Sequence, residues 1–214
     1  MKRIALLCLL CLASTPALGD AEQSWILKKD AEGIKVYTRS VEGSDSNEFK
    51  AITDVDAPIE VLLEVFQDIP SFPQWYGFCK EIRLIEQVSP IHRIIYFVLE
   101  TPWPVKDRDM VVEVRDDVDT SPGTALITMH ALEEEMVSRN ERYVRMTEVR
   151  GSAVLESIDG KRTHVVHTVL ADPAGFIPAA VSNMLQKEQP FLTLKGLKEM
   201  VKQDVYYERA GVVR

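Results

Sequence analysis

The chain has 214 residues, 46% of them hydrophobic, with 33 acidic residues against 25 basic ones. That length allows one domain with a sizeable core. The net charge of −8 repels phosphate backbones and excludes nucleic acid as a natural partner.

The first nineteen residues have the parts of an export signal. Lys2 and Arg3 precede an apolar run from Ile4 to Ala13, and Ala17-Leu18-Gly19 offers the small residues that a signal peptidase reads. The run is too short to span a bilayer. Leu10 stands before Cys11, where a lipid-anchor signal needs a small residue. Cleavage after Gly19 is expected, which leaves a domain over 20–214 that is periplasmic or secreted. Without Lys2 and Arg3 the balance is 23 basic to 33 acidic residues, a net charge of −10. Cys79 is then the one remaining thiol, so no internal disulfide forms and the fold has to rest on packing. No second apolar run is long enough to cross a membrane, and a soluble monomer is expected.

Strand signals come next. Residues 33–39 alternate polar and apolar, and 49–55 repeat the pattern after a Gly43-Ser44-Asp45-Ser46-Asn47 turn. A helix should open near Pro58, which a first turn tolerates, with Asp54 or Asp56 as its cap. Val61, Leu62, Val65 and Phe66 give that helix one apolar face, and Pro70 and Pro73 end it. Trp75 and Tyr76 read as core. Strands are expected over 82–86, 93–100, 110–115, 124–131, 143–149 and 163–170, divided by turns such as Ser121-Pro122-Gly123 and Asp159-Gly160-Lys161. Their even spacing argues for an antiparallel meander. From Pro178 to Gln203 the period becomes helical. Val181, Met184 and Leu185 make one stripe and Leu194, Leu197 and Val201 a second, with Pro190 between them as a kink or break. The fold class is α+β: a curved antiparallel sheet wrapped around a long C-terminal helix, with an apolar cavity left between them.

Two segments carry more. One is Thr101-Pro102-Trp103-Pro104-Val105-Lys106-Asp107-Arg108-Asp109-Met110-Val111. The other is Asp172-Pro173-Ala174-Gly175-Phe176-Ile177-Pro178, leading into the last helix, with Pro190-Phe191 further on. In order and spacing they resemble the START (steroidogenic acute regulatory protein-related lipid transfer) family, in an exported bacterial branch, over about residues 24–204. The resemblance implies a helix-grip fold and a hydrophobic tunnel closed by the C-terminal helix and the 101–107 loop. It also implies lipid binding and transfer without covalent chemistry. Arg108 matches the family's head-group arginine. A buried glutamate that some relatives place on the preceding strand falls near Val98 here. Arg108 would lack that partner, which favours a phosphate or carboxylate ligand over a sterol-type contact. The residues expected to touch lipid are Arg108, Tyr96, Val98, Trp103, Met110, Phe176, Val181, Met184 and Leu185. A salt bridge from Arg108 to Asp107 or Asp109 is the structural alternative, and Trp103 is either a lid aromatic that meets the membrane surface or a loop anchor.

No cofactor, metal or catalytic residue is expected. His164 and His167 are three apart on a strand and point to opposite faces, and His92 and His130 stand alone, so no zinc set converges. Glu133-Glu134-Glu135 reads as a solvated turn. Two further functions stay open: a helix-grip enzyme of the polyketide cyclase or aromatase type, and an envelope interaction module with no small ligand. Two or more converging ionisable groups besides Arg108 would favour the enzyme, a greasy lining the carrier, and a filled interior the interaction module.

Overall fold

The computed structural model describes residues 24–214 apart from Pro122, Glu134 and Glu135. The expected export signal lies outside the described residues, as do Pro122 of one expected turn and two glutamates of another.

Three strands open the described chain: β1 (Ile26–Ala31), β2 (Ile34–Ser40) and β3 (Asn47–Val55). Alternation makes the second and third. Ile34, Val36 and Thr38 on β2, and Phe49, Ala51, Thr53 and Val55 on β3, are buried while the residues between them reach outward. Helix α1 (Ile59–Gln67) follows, and Val61, Leu62, Val65 and Phe66 are buried as their spacing predicts. Pro58 itself occupies the cap position and no side chain caps the helix, so the aspartate cap expected there does not form.

A turn of 3-10 helix at Ile69–Ser71 leads to the short α2 (Phe72–Trp75). The chain then lays down β4 (Cys79–Ser89), β5 (His92–Leu99), β6 (Arg108–Ser121), β7 (Thr124–Ala131), β8 (Val144–Arg145), β9 (Val149–Ser157) and β10 (Thr163–Ala171). Helices α3 (Ala179–Met200) and α4 (Asp204–Ala210) complete it. The single strand expected over 143–149 is instead a two-residue β8 and the start of β9. α3 runs unbroken through Pro190, which removes one backbone hydrogen bond without ending the helix.

The sheet order is β1-β2-β3-β10-β9-β7-β6-β5-β4, with β8 pairing parallel to β6 and the other ladders antiparallel. The α1–α2 segment therefore carries the chain from β3 to the far edge at β4. One face of the curved sheet holds the main core with α1 and α3, where Leu194, Leu197, Met200 and Val201 are buried. Trp75 is core, as expected, packed edge-on against Phe66 and tilted against Phe72. Two glycines let α3 lie directly on the α2 segment. A Cβ on Gly77 would sit 2.3 Å from the Gln189 carbonyl oxygen, and one on Gly196 2.2 Å from that of Trp75. The opposite face of β5 and β6 has its own small cluster of Ile94, Tyr96, Val98 and Val111, covered by Leu132, Val137 and Tyr143. The result is the α+β helix-grip arrangement.

Candidate functional site

A cavity of about 180 Å³ lies between the inner face of the sheet and α3. Strand parity builds its wall. β5 contributes Leu99, Phe97, Ile95 and Arg93, β6 contributes Arg108, Met110, Val112 and Val114, and β10 contributes Ala171, Val169 and His167. Phe49, Phe66, Ile69, Phe72, Tyr76, Met129 and Met146 supply most of the remaining apolar surface. α3 faces it with Ser182, Leu185, Gln186 and Gln189, one stripe at helical spacing.

Arg108 stands at one end. It is 2% exposed, and backbone carbonyls surround its guanidinium. Its Nε donates to Pro173 O at 3.1 Å, and its terminal nitrogens donate to Ala174 O at 3.2 Å, Phe176 O at 3.5 Å and Lys106 O. It thereby ties the 101–107 loop to the 172–178 loop. Burial lowers its pKa, with Asp107 opposing that shift. Neither salt bridge of the structural alternative, to Asp107 or to Asp109, is made. Asp109 points to the outer face, where Arg145 donates to both its oxygens (3.0 and 2.8 Å) and the Tyr96 hydroxyl to one (3.0 Å). Asp107 accepts from the Thr101 N–H and pairs with Lys80 at 2.7 Å. Thr101 in turn donates to Val105 and Lys106 carbonyls, so the 101–107 loop is closed upon itself.

At the other end Arg93 and Asp116 form a buried ion pair at 2.7 Å. β10 and α3 add further polar groups to the wall. His167 is 6% exposed, and its Nδ1 lies 3.2 Å from the Ser152 carbonyl. Burial holds its pKa down to about 4, so the ring is neutral at neutral pH. Gln189 is 8% exposed. The ring of Tyr76 lies 6.2 Å from that of His167, and burial raises its phenol pKa, with a hydrogen bond to the Gln189 side chain opposing that shift. Cys79 is buried, and its thiol is pushed up to about 12 by desolvation.

Of the nine residues expected to touch lipid, Arg108, Met110 and Leu185 reach the cavity wall. Tyr96 and Val98 do not, and their placement is corrected. They sit on the outer face of β5 because Ile95, Phe97 and Leu99 hold the inner one. Val98 is thus not the place from which a partner for Arg108 would be missing. Trp103 and Phe176 are 92% and 87% exposed, outside the cavity on the two loops that Arg108 joins. The same exposure corrects the loop-anchor alternative for Trp103. Val181 and Met184 are half-buried but off the wall, since the inward stripe is set by Ser182, Leu185 and Gln186. The sequence reading missed His167, Gln189 and the Arg93–Asp116 pair. The parity of His167 with buried Val165 and Val169 is the signal that finds it. His164 does face the other way, paired with Asp54 at 2.6 Å.

The START domain model matches residues 11–205. The chain belongs to the START domain family. This START chain is 31% identical to a STAR-related lipid transfer protein fragment from Xanthomonas axonopodis, whose crystal structure superposes with a TM-score of 0.75 over 84% of this chain and 99% of that one. It is 29% identical to an uncharacterised protein of Pseudomonas aeruginosa, over 92% of this chain and 97% of the other. An aromatase/cyclase from Streptomyces shares the fold at 13% identity and a TM-score of 0.54, over 78% and 98% of the two chains.

Proposed function

We propose that this START domain holds a lipid or similar apolar molecule in the cavity and carries it between membranes without covalent chemistry. The observation that carries the reading is the wall itself. Aromatic, aliphatic and methionine side chains from β5, β6, β10 and α2 face a space that is roofed by α3. At about 180 Å³ the cavity lies below the roughly 300–1,000 Å³ of drug-sized sites, so seating a whole lipid requires α3 or the loops beside it to shift outward. The interaction-module reading needs that interior filled with side chains. Membrane contact would run through Trp103 and Phe176, two exposed aromatics on the adjoining loops, acting as a monomer in the periplasm or outside the cell.

The enzyme reading needs acid–base groups that converge. Arg93, Glu100 and His167 also reach the wall, which is the number that reading asks for. They do not form a set, however. Arg93 is bound to Asp116, and a histidine with a pKa of about 4 is a weak base at neutral pH.

Solvent extraction of the protein purified from its native host, followed by mass spectrometry, should recover a stoichiometric lipid. Vesicles loaded with a fluorescent phospholipid or fatty acid should lose the probe to protein purified empty. A chain that yields no lipid and takes up none would overturn the proposal.

A further inference from the structure

The cavity wall contains two acceptors with no donor at hydrogen-bond distance among the described residues, the His167 Nε2 and the Gln189 Oε1, and the Tyr76 phenol stands beside the Gln189 side chain. Both belong to side chains more than nine-tenths buried, and both residues line the cavity. Their chemistry can be assigned from their partners. The Ser152 carbonyl only accepts, so the His167 Nδ1 facing it carries the proton and Nε2 presents a lone pair. Thr193 fixes Gln189. Its hydroxyl hydrogen goes to the Gln189 carbonyl at 2.9 Å, and its oxygen accepts from the Gly77 N–H at 3.0 Å. That oxygen can then only accept from the Gln189 side chain 3.1 Å away, so the amide nitrogen is the atom turned to it. The Gln189 Oε1 is left as an acceptor.

Position adds to this. His167 lies four residues before the end of β10 at Ala171, about 13 Å from the loop end at about 3.3 Å per residue. Gln189 lies ten residues into α3, about 15 Å along it at 1.5 Å per residue. Both residues flank Tyr76, whose ring lies 6.2 Å from that of His167 and whose phenol meets the Gln189 side chain, and both stand well below the loops that Arg108 joins.

We infer that His167 and Gln189 form an alcohol-selecting station: the cavity takes a neutral lipid that buries a hydroxyl, in preference to one ending in a carboxylate, a phosphate or an ether. The inference rests on the carriage reading and specifies its ligand. A hydroxyl donates its hydrogen to one acceptor. An ether oxygen brings no hydrogen, and an anion brings a third set of lone pairs beside two others, leaving buried acceptors unmet. A cationic donor would have to lose its water in a wall that already carries Arg93 and Arg108. Carbonyls already take four of the five Arg108 hydrogens, and the charge of Arg93 is met by Asp116, its Nε–H alone lacking a partner among the described residues.

The test uses matched C16 probes at pH 8: 1-hexadecanol, hexadecanoate and hexadecyl methyl ether, each displacing the neutral dye N-phenyl-1-naphthylamine from the full chain. The alcohol should bind about tenfold tighter than the ether and the acid, the size expected for one buried acceptor met or unmet. The double variant His167→Phe, Gln189→Met should keep its affinity for the ether and lose the preference for the alcohol. Equal binding of alcohol and ether by the natural protein, or tightest binding of the acid, overturns the inference and leaves carriage standing. If the dye does not bind, or none of the three displaces it, carriage itself fails and the inference with it. Should the variant not fold, the three probes on the natural protein decide.

Discussion

On the outer face of β6, Asp109 accepts two hydrogen bonds from Arg145 and a third from Tyr96, and the apolar cluster of Ile94, Val98 and Val111 packs around them. On the inner face, polar groups of comparable burial are less fully met. His167 and Gln189 each keep an acceptor turned to the cavity, and Arg108, one residue before Asp109, is held by loop carbonyls rather than by an acid. The two faces show what a buried polar group is for. Where the hydrogen bonding is complete, the group pins the covering segment around Val144 and Arg145 to the sheet. Where it is incomplete, the wall stores a demand that a bound molecule can meet.

The sharpest way to break this contrast is Asp109→Ala. Removing the carboxylate breaks both hydrogen bonds from Arg145, 5% exposed, and the one from Tyr96 in a buried site, and should cost about 3–5 kcal/mol of stability in urea unfolding. A loss under about 1 kcal/mol would show that the outer network is dispensable. Next in size is the pH response of His167. Its folded pKa of about 4 lies below the ordinary 6.5, so the unfolded chain binds the proton first. Stability from this group is intact above pH 6.5, falls as pH drops, and is lost in full below pH 4. The total is about 3 kcal/mol at about 1.36 kcal/mol per unit. The His167→Phe variant should lack that part of the slope, which urea titrations at intervals across the window would read as the difference from the natural protein. The smallest effect on stability is expected from Trp103→Ala. At 92% exposure the side chain contributes little packing, and the melting temperature should move by no more than about 0.5 kcal/mol implies, about 1–2 °C. Transfer of a fluorescent lipid to vesicles should nevertheless slow. Unchanged transfer would remove Trp103 from the membrane-contact reading.

Much of the fold was legible because period and position agreed. The α1 face, the alternation of β2 and the change of period near Pro178 each follow from one-sided burial. β1 was not legible, because it is an edge strand whose residues are mostly exposed and show no alternation. β9 was hidden by Gly151, a poor strand former that lies close under two side chains: an added Cβ would come within 2.6 Å of the Met129 Cε and 2.9 Å of a Val169 methyl. The site was harder to read for two reasons. Residues 93–98 of β5 are all buried, on both faces, so hydrophobicity alone cannot say that Ile95 and Phe97 look inward and Tyr96 and Val98 outward. On α3, counting apolar residues picked out Val181 and Met184, whereas the helix turns Ser182, Gln186 and Gln189 to the cavity beside Leu185. A polar residue on a wall carries no signature in a hydrophobicity count.

The pairing of β3 with β10 has a further consequence, for assembly. Val55 meets Thr163 and Phe49 meets Val169, so the joint in the middle of the sheet is made between the first and last thirds of the chain. Closing so long a loop comes at an entropic cost before any contact repays it, and folds dominated by such pairings form slowly. The hairpins from β4 to β7 can form from neighbouring sequence, but they do so as an open trough with Phe97, Met110 and Val112 facing water. The cavity is enclosed only with β10 and α3 in place, so the interior that would hold a guest depends on a pairing between distant parts of the chain.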